Sequence, residues 1–98
     1  MVEQGDIISL EGMRFPVIVV SNNRYNTSGK ALVCPVLSYD PNISLQEQIV
    51  LEDKICYVCC DALKQLDIGN RGSGVKGHVS LAKQMLILDK IQSIFDYI

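Results

Sequence analysis

Apolar and polar positions fall in blocks along this chain. Two β-branched apolar runs, Pro16 to Val20 and Ala31 to Leu37, flank a polar stretch rich in Asn, Ser and Gly. That pattern predicts two paired strands with a long connection. Both runs are almost continuously apolar, so both faces of the pair should be buried. Their polar ends, Ser21 to Arg24 and Ser38 to Pro41, are where a surface site could sit. Asp6 to Leu10 reads as a first strand, entered through the turn-forming Gly5 and followed by a short turn at Glu11 to Arg14. Pro16 suits a strand start, whereas Pro35 inside the third strand predicts an edge position or a bulge. Within the connection Asn and Gly supply positive φ, and Tyr25 pins it to the core.

Tyr39 to Ser44 reads as a loop, with Asp40-Pro41-Asn42 as its turn chemistry. Gln48 to Leu51 reads as a fourth strand, extended backwards by Ile43 and Leu45, and Ile55 to Cys60 as a fifth, with a turn at Glu52-Asp53-Lys54 between them. Leu63 to Ile68 fits either a short strand or a turn of helix. Residues 69–74, rich in Gly, read as a flexible loop. Ser80 is a natural N-cap. Leu81, Met85, Leu88, Ile91, Phe95 and Ile98 then recur every three or four residues, with Ile87 and Ile94 widening the stripe and Gln84 interrupting it. The spacing predicts an amphipathic helix of about 17 residues, roughly 25 Å long, whose stripe is core.

At 98 residues the chain makes one domain, spanning residues 1–98. With 48% apolar and 20% charged residues it has an ordinary globular balance. Its apolar runs fall short of the ~20 residues that span a bilayer, and its start lacks the basic and apolar segments of a secretion signal. The expectation is a cytoplasmic protein without membrane contact. A net charge of −2 counts mildly against a dedicated nucleic-acid binder but allows a local basic patch. Arg71, Lys76, His78 and Lys83 form such a cluster, which a solvated basic turn explains as well.

Cys56-x-x-Cys59-Cys60, with Cys34 and His78, invites a metal reading. A structural zinc site wants convergent ligands, commonly two close pairs. On a strand Cys56 and Cys60 face one way and Cys59 the other. Buried free thiols are the expectation, with no metal and no cofactor.

The order of motifs resembles a known family. Gly5-Asp6-Ile7 is followed by Pro16-Val17-Ile18-Val19-Val20-Ser21-Asn22, Tyr25-Asn26, Val33-Cys34-Pro35-Val36, Cys60-Asp61, Leu66-Asp67 and a C-terminal helix. This arrangement resembles the MazF/PemK (Kid) toxins of toxin–antitoxin systems over nearly the whole chain. The resemblance implies a mainly β fold with a C-terminal helix, a small SH3-like barrel of the MazF/CcdB type with five or six mostly antiparallel strands. It also implies a homodimeric, metal-independent endoribonuclease that cuts single-stranded RNA and is held inactive by a cognate antitoxin. Such chemistry needs a base for the 2′-hydroxyl, an acid for the leaving 5′-oxygen and a cation for the phosphorane.

Carried onto this chain, the resemblance puts Arg14, Ser38 and Asp61 in the catalytic set. Arg14 would stabilise the phosphate that Ser38 and Asp61 flank. Asn22, Arg24 and Arg71 are the candidate contacts for RNA or antitoxin, and His78 is a more distant candidate acid or base. Phe15, Leu37, Cys59 and Ala62 stand where the family often has polar residues, Phe15 replacing an Arg and Leu37 a Thr. Those replacements define an alternative, a catalytically degenerate binding module for a protein or nucleic-acid partner. A gyrase-directed toxin on the same architecture is a third reading, by analogy of fold alone.

Overall fold

The β-branched runs do form the centre of a sheet. In this computed structural model, which describes residues 2–69 and 73–95, β1 (Asp6–Leu10) pairs with β2 (Val17–Val19), and β2 pairs with β3 (Lys30–Leu37), all antiparallel. A short helix, α1 (Asn23–Asn26), lies between β2 and β3. The hairpin of β4 (Gln46–Leu51) and β5 (Lys54–Cys59) joins the far end of β3. β6 (Lys64–Asp67) pairs with the beginning of β3, and β7 (Ser73–His78) with β1. Helix α2 (Leu81–Ser93) completes the fold. The seven strands run β4-β5-β3-β2-β1-β7, with β6 beside β3, and curl into a half-barrel.

Both faces of the β2–β3 pair are covered, as their composition requires. On one side Ile18, Cys34 and Val36 pack with Ile49, Val58 and, from α2, Ile87 and Ile91. On the other, Val17, Val19, Ala31 and Val33 pack with Ile8, Leu10 and Leu66.

Gly5 admits β1 to this arrangement. Its φ is +94°, and a Cβ there would lie 2.3 Å from the Gln84 side chain on α2. The next residue, Asp6, is buried, accepts from the Glu3 N–H at 2.9 Å, and lies 2.9 Å from His78 Nδ1 on β7.

Four expectations are corrected. Among the described residues the strand count is seven, because residues 64–67 form β6 and residues 73–74 belong to β7, not to a loop. β3 is central and not an edge. Its Pro35 falls where one neighbour hands over to another, since β6 pairs only as far as Val33 and β5 begins at Val36. The Val36 N–H points to β2, donating to Pro16 O at 2.9 Å. The missing N–H of Pro35 therefore faces the side on which β3 has no partner at that point. The polar connection holds a helical turn, and Tyr25 is held by β6, where Gln65 Nε2 donates to its hydroxyl at 2.6 Å. Helix α2 ends at Ser93, and its inward line is Ile87 and Ile91 with half-buried Gln84 and Leu88. Leu81 and Phe95, expected in the core stripe, are 71% and 70% exposed. Ile98 lies outside the described residues.

Candidate functional site

Two strand ends and one hairpin turn enclose an open groove of about 620 Å³. The segment leading into β2 contributes Arg14, Phe15 and Pro16; the end of β3 and the bend after it contribute Val36, Leu37, Ser38 and Tyr39; the β4–β5 hairpin contributes Leu51, Glu52, Lys54 and Cys56. The β2–β3 register makes the first two segments neighbours. Val17 faces Pro35, and Pro16 O accepts from Val36 N at 2.9 Å, so Arg14 and Phe15 enter β2 at the end of the ladder from which Leu37 and Ser38 leave β3. The loop after β3 is stapled. Asp40 Oδ1 accepts from Asn42 N at 2.7 Å and from Gln46 Nε2 at 3.0 Å. Those bonds, the Gln46 one foremost, hold the Asp40 carboxyl below its ordinary pKa.

The turn that brings Glu52 to the groove is conformationally costly. Glu52 and Asp53 have φ of +51° and +63°, the signature of a two-residue type I′ hairpin. Asn-Gly is the natural sequence there; a Glu in the left-handed region costs roughly 1 kcal/mol or more. Glu52 lies 3.7 Å from Lys76 on β7, both side chains well exposed.

Arg14 and Ser38 thus share one groove. Asp61 is not among its lining residues. It is exposed in the turn after β5, beside a smaller apolar cleft of about 180 Å³ lined by Met13, Phe15, Val17, Val33, Pro35, Ala62 and Lys64. Asn22 and Arg24 lie at the opposite end of the β2–β3 ladder. Asn22 caps α1, accepting from Tyr25 N at 2.8 Å, and Arg24 is exposed in its last turn. Buried Ser21 and Asn26 fix this helix: Ser21 Oγ donates to Asn26 Oδ1 and accepts from Leu32 N. Arg71 lies outside the described residues. His78, half-exposed on β7, is engaged with Asp6.

Sequence reading missed Glu52, Lys54 and Tyr39 as groove residues. One local signal was available: Glu-Asp in a two-residue turn between strands is poor turn chemistry.

All four cysteines are buried and free. Burial foremost, with nearby thiols and Asp61, pushes the Cys34 thiol up to about 12. Burial also dominates at Cys60, pushed up to about 11, and at Cys59, where Asp61 adds to the rise. Such thiols stay protonated and unreactive at neutral pH. Among the described residues no group of three or more His, Cys, Asp or Glu is placed to hold a metal ion.

This half-barrel with its C-terminal helix and open groove is the architecture of a family of bacterial toxins. Residues 4–95 match the PemK-like, MazF-like toxins of type II toxin–antitoxin systems, and the chain belongs to that family. Solved structures carry the same fold at low identity. The MazE-MazF (Form-I) structure from Deinococcus radiodurans superposes with a TM-score of 0.84 at 21% identity, covering 96% of this chain and 95% of that one. An endoribonuclease in complex with its cognate antitoxin, from a mycobacterial species, superposes with a TM-score of 0.79 at 19% identity, covering 97% and 95%. The Mycobacterium tuberculosis toxin MazF-mt6 gives 0.75 at 14%, covering 93% and 96%. No curated protein sequence matches this chain. Among the described residues no helix is long and apolar enough to cross a membrane.

Proposed function

We propose that this toxin is an endoribonuclease that cuts single-stranded RNA in the groove between β2, β3 and the β4–β5 turn. One observation carries the reading: a single open groove gathers two cations, Arg14 and Lys54, one carboxylate, Glu52, and the hydroxyls of Ser38 and Tyr39. Transfer of a phosphodiester to its own ribose 2′-oxygen asks for that set. Arg14 holds the non-bridging phosphate oxygens, where its fork of N–H donors matches a phosphate. The Ser38 hydroxyl donates a further hydrogen bond. Glu52 takes the 2′-hydroxyl proton as that oxygen attacks phosphorus. Lys54 protonates the departing 5′-oxygen, leaving a 2′,3′-cyclic phosphate and a 5′-hydroxyl. Glu52 thereby takes the base role that the sequence left unassigned, while Asp61, expected to flank the phosphate, is not among the groove residues.

A cognate antitoxin is the regulating partner in this reading, as its family membership supports. Asn22 and Arg24, away from the groove, are proposed as antitoxin contacts. A homodimer is the working assembly, with the apolar outer residues of α2 as its interface.

The test is incubation with a long RNA in EDTA, with cut ends mapped by primer extension. Cuts at a short recurring sequence, reduced at least ~100-fold in Arg14→Ala, are the expected result. An RNA left intact at high concentrations of folded protein would overturn the reading and favour a binding module.

A further inference from the structure

The two outer strands of the described sheet, β4 and β7, come together beside the groove. They share no ladder among the described residues, so side chains make this join. Gly77 on β7 sits against Leu51, the last residue of β4. A Cβ on Gly77 would lie 2.9 Å from Leu51 Cδ1 and 3.9 Å from Ile7 Cδ1. Leu51 packs in the core with Ile7 and Ile49 and also lines the groove, so a larger side chain at position 77 would press on that wall. One residue along from each of these, Lys76 Nζ lies 3.7 Å from Glu52 Oε1.

The turn fixes the Glu52 backbone at φ +51°, but the side chain is 60% exposed. A free glutamate samples several rotamers, and fixing one of them costs entropy. A general base works only within hydrogen-bond reach of the proton it takes. Exposed ion pairs add little to stability, so a lysine here acts on where the carboxylate stands more than on whether the chain folds. At 3.7 Å the contact is longer than a hydrogen bond, which leaves the acceptor sites of the carboxylate to a substrate hydroxyl.

We infer that Lys76 is a positioning residue: from the opposite edge of the sheet it holds the Glu52 carboxylate at the groove, where Gly77 lets β7 close on Leu51. This rests on reading Glu52 as the base of RNA cleavage. Steady-state cleavage of a short RNA carrying the mapped site, in EDTA, tests the role. Lys76→Gln should lower kcat about tenfold, because a small misplacement of a reacting group is costly, with KM within about twofold of the parent. Lys76→Arg keeps the cation and should restore most of kcat. In the Glu52→Gln background Lys76→Gln should have no further effect, since the lysine acts through that carboxylate. Urea melts check the fold of each variant.

The contact itself is tested without RNA. A water-soluble carbodiimide activates a carboxylate, a neighbouring amine displaces the urea, and an amide joins the two side chains. The one-chain band from a denaturing gel, digested and read by mass spectrometry, should contain Glu52 joined to Lys76. Glu47 joined to Lys83 or Lys90, at 2.9 and 2.8 Å, is the internal standard. The standard without the Glu52–Lys76 link, an unchanged kcat in Lys76→Gln, a loss confined to KM, or an equal loss in the Glu52→Gln background would each overturn the assignment. A loss confined to KM would make Lys76 a direct contact of the RNA. The link with uncut RNA removes the ribonuclease reading, and with it the part of Lys76 in turnover, and leaves the contact. Cut RNA without the link keeps the ribonuclease and removes the hold of Lys76 on Glu52.

Discussion

Glu52 and Asp53 hold left-handed backbone that a tight hairpin would normally assign to Asn and Gly. Strain of this kind persists where a side chain is needed in a fixed place. The two residues should therefore respond differently. Asp53→Gly relieves strain at φ +63° and is expected to raise stability by about 1 kcal/mol in urea melts, with cleavage retained. Glu52→Gln keeps the backbone and is expected to melt within about 0.5 kcal/mol of the parent. Its cleavage rate should fall by at least ~100-fold, the range for losing a general base. A cleavage rate unchanged in Glu52→Gln would remove it from the reaction. Arg14 and Ser38 entered through the family resemblance, and the strongly patterned strands they abut bring both to the groove lining. Glu52, Lys54 and Tyr39 were not, because only the folding of one hairpin beside another strand end brings them together.

Between elements, the main polar tie is Glu47 on β4. Its carboxylate takes Lys83 Nζ at 2.9 Å and Lys90 Nζ at 2.8 Å, both from α2, and Lys90 also donates to Gln46 O at 2.6 Å. Burial pushes the Glu47 carboxyl up, but the bonds from Lys90 and Lys83 outweigh it and its pKa settles below the ordinary 4.5. A carboxyl lowered on folding stabilises the fold above its unfolded pKa and loses that contribution as pH falls through its folded value. Glu47→Gln should cost about 1–2 kcal/mol at pH 7, and the difference from the parent should shrink in urea melts at pH 3. An equal difference at both pH values would mean that the charge is not what matters. Among the elements, β1 to β5 and the helix start were legible because their apolar runs and N-cap are strong local signals. β7 was not: Ser-Gly-Val-Lys-Gly-His carries two glycines and a single apolar residue, Val75, which is exposed. That strand is specified by its partner β1. The four residues of β6 are too few for period alone to separate strand from helix.

At the scale of the molecule, α2 is apolar on both sides. Ile87 and Ile91 face the sheet, while Leu81, Met85 and Leu86, with Ile94 and Phe95 just past its end, are exposed. A chain of 10.9 kDa gains from covering such a surface, and the proposed occupant is a second copy. Light scattering should give twice the chain mass, and the pair Met85→Glu and Leu86→Glu, exposed in the single chain, should give one chain mass with the fold intact. A parent that stays monomeric at high concentration would remove the dimer.

The pairing of β1 with β7 also sets a timetable. Asp6 meets His78 across 72 residues of chain, so the last seam of the sheet joins distant segments whose loop-closure entropy must be offset before their contacts form. Folding in milliseconds to seconds follows, slower than for a helical bundle of this size. Every groove residue lies between Arg14 and Cys56 and leaves the ribosome well before β7. A released chain truncated before Ser73 would thus carry the whole groove sequence on a sheet whose β1 lacks its β7 partner. Closure of the β1–β7 seam is then the step that completes the sheet.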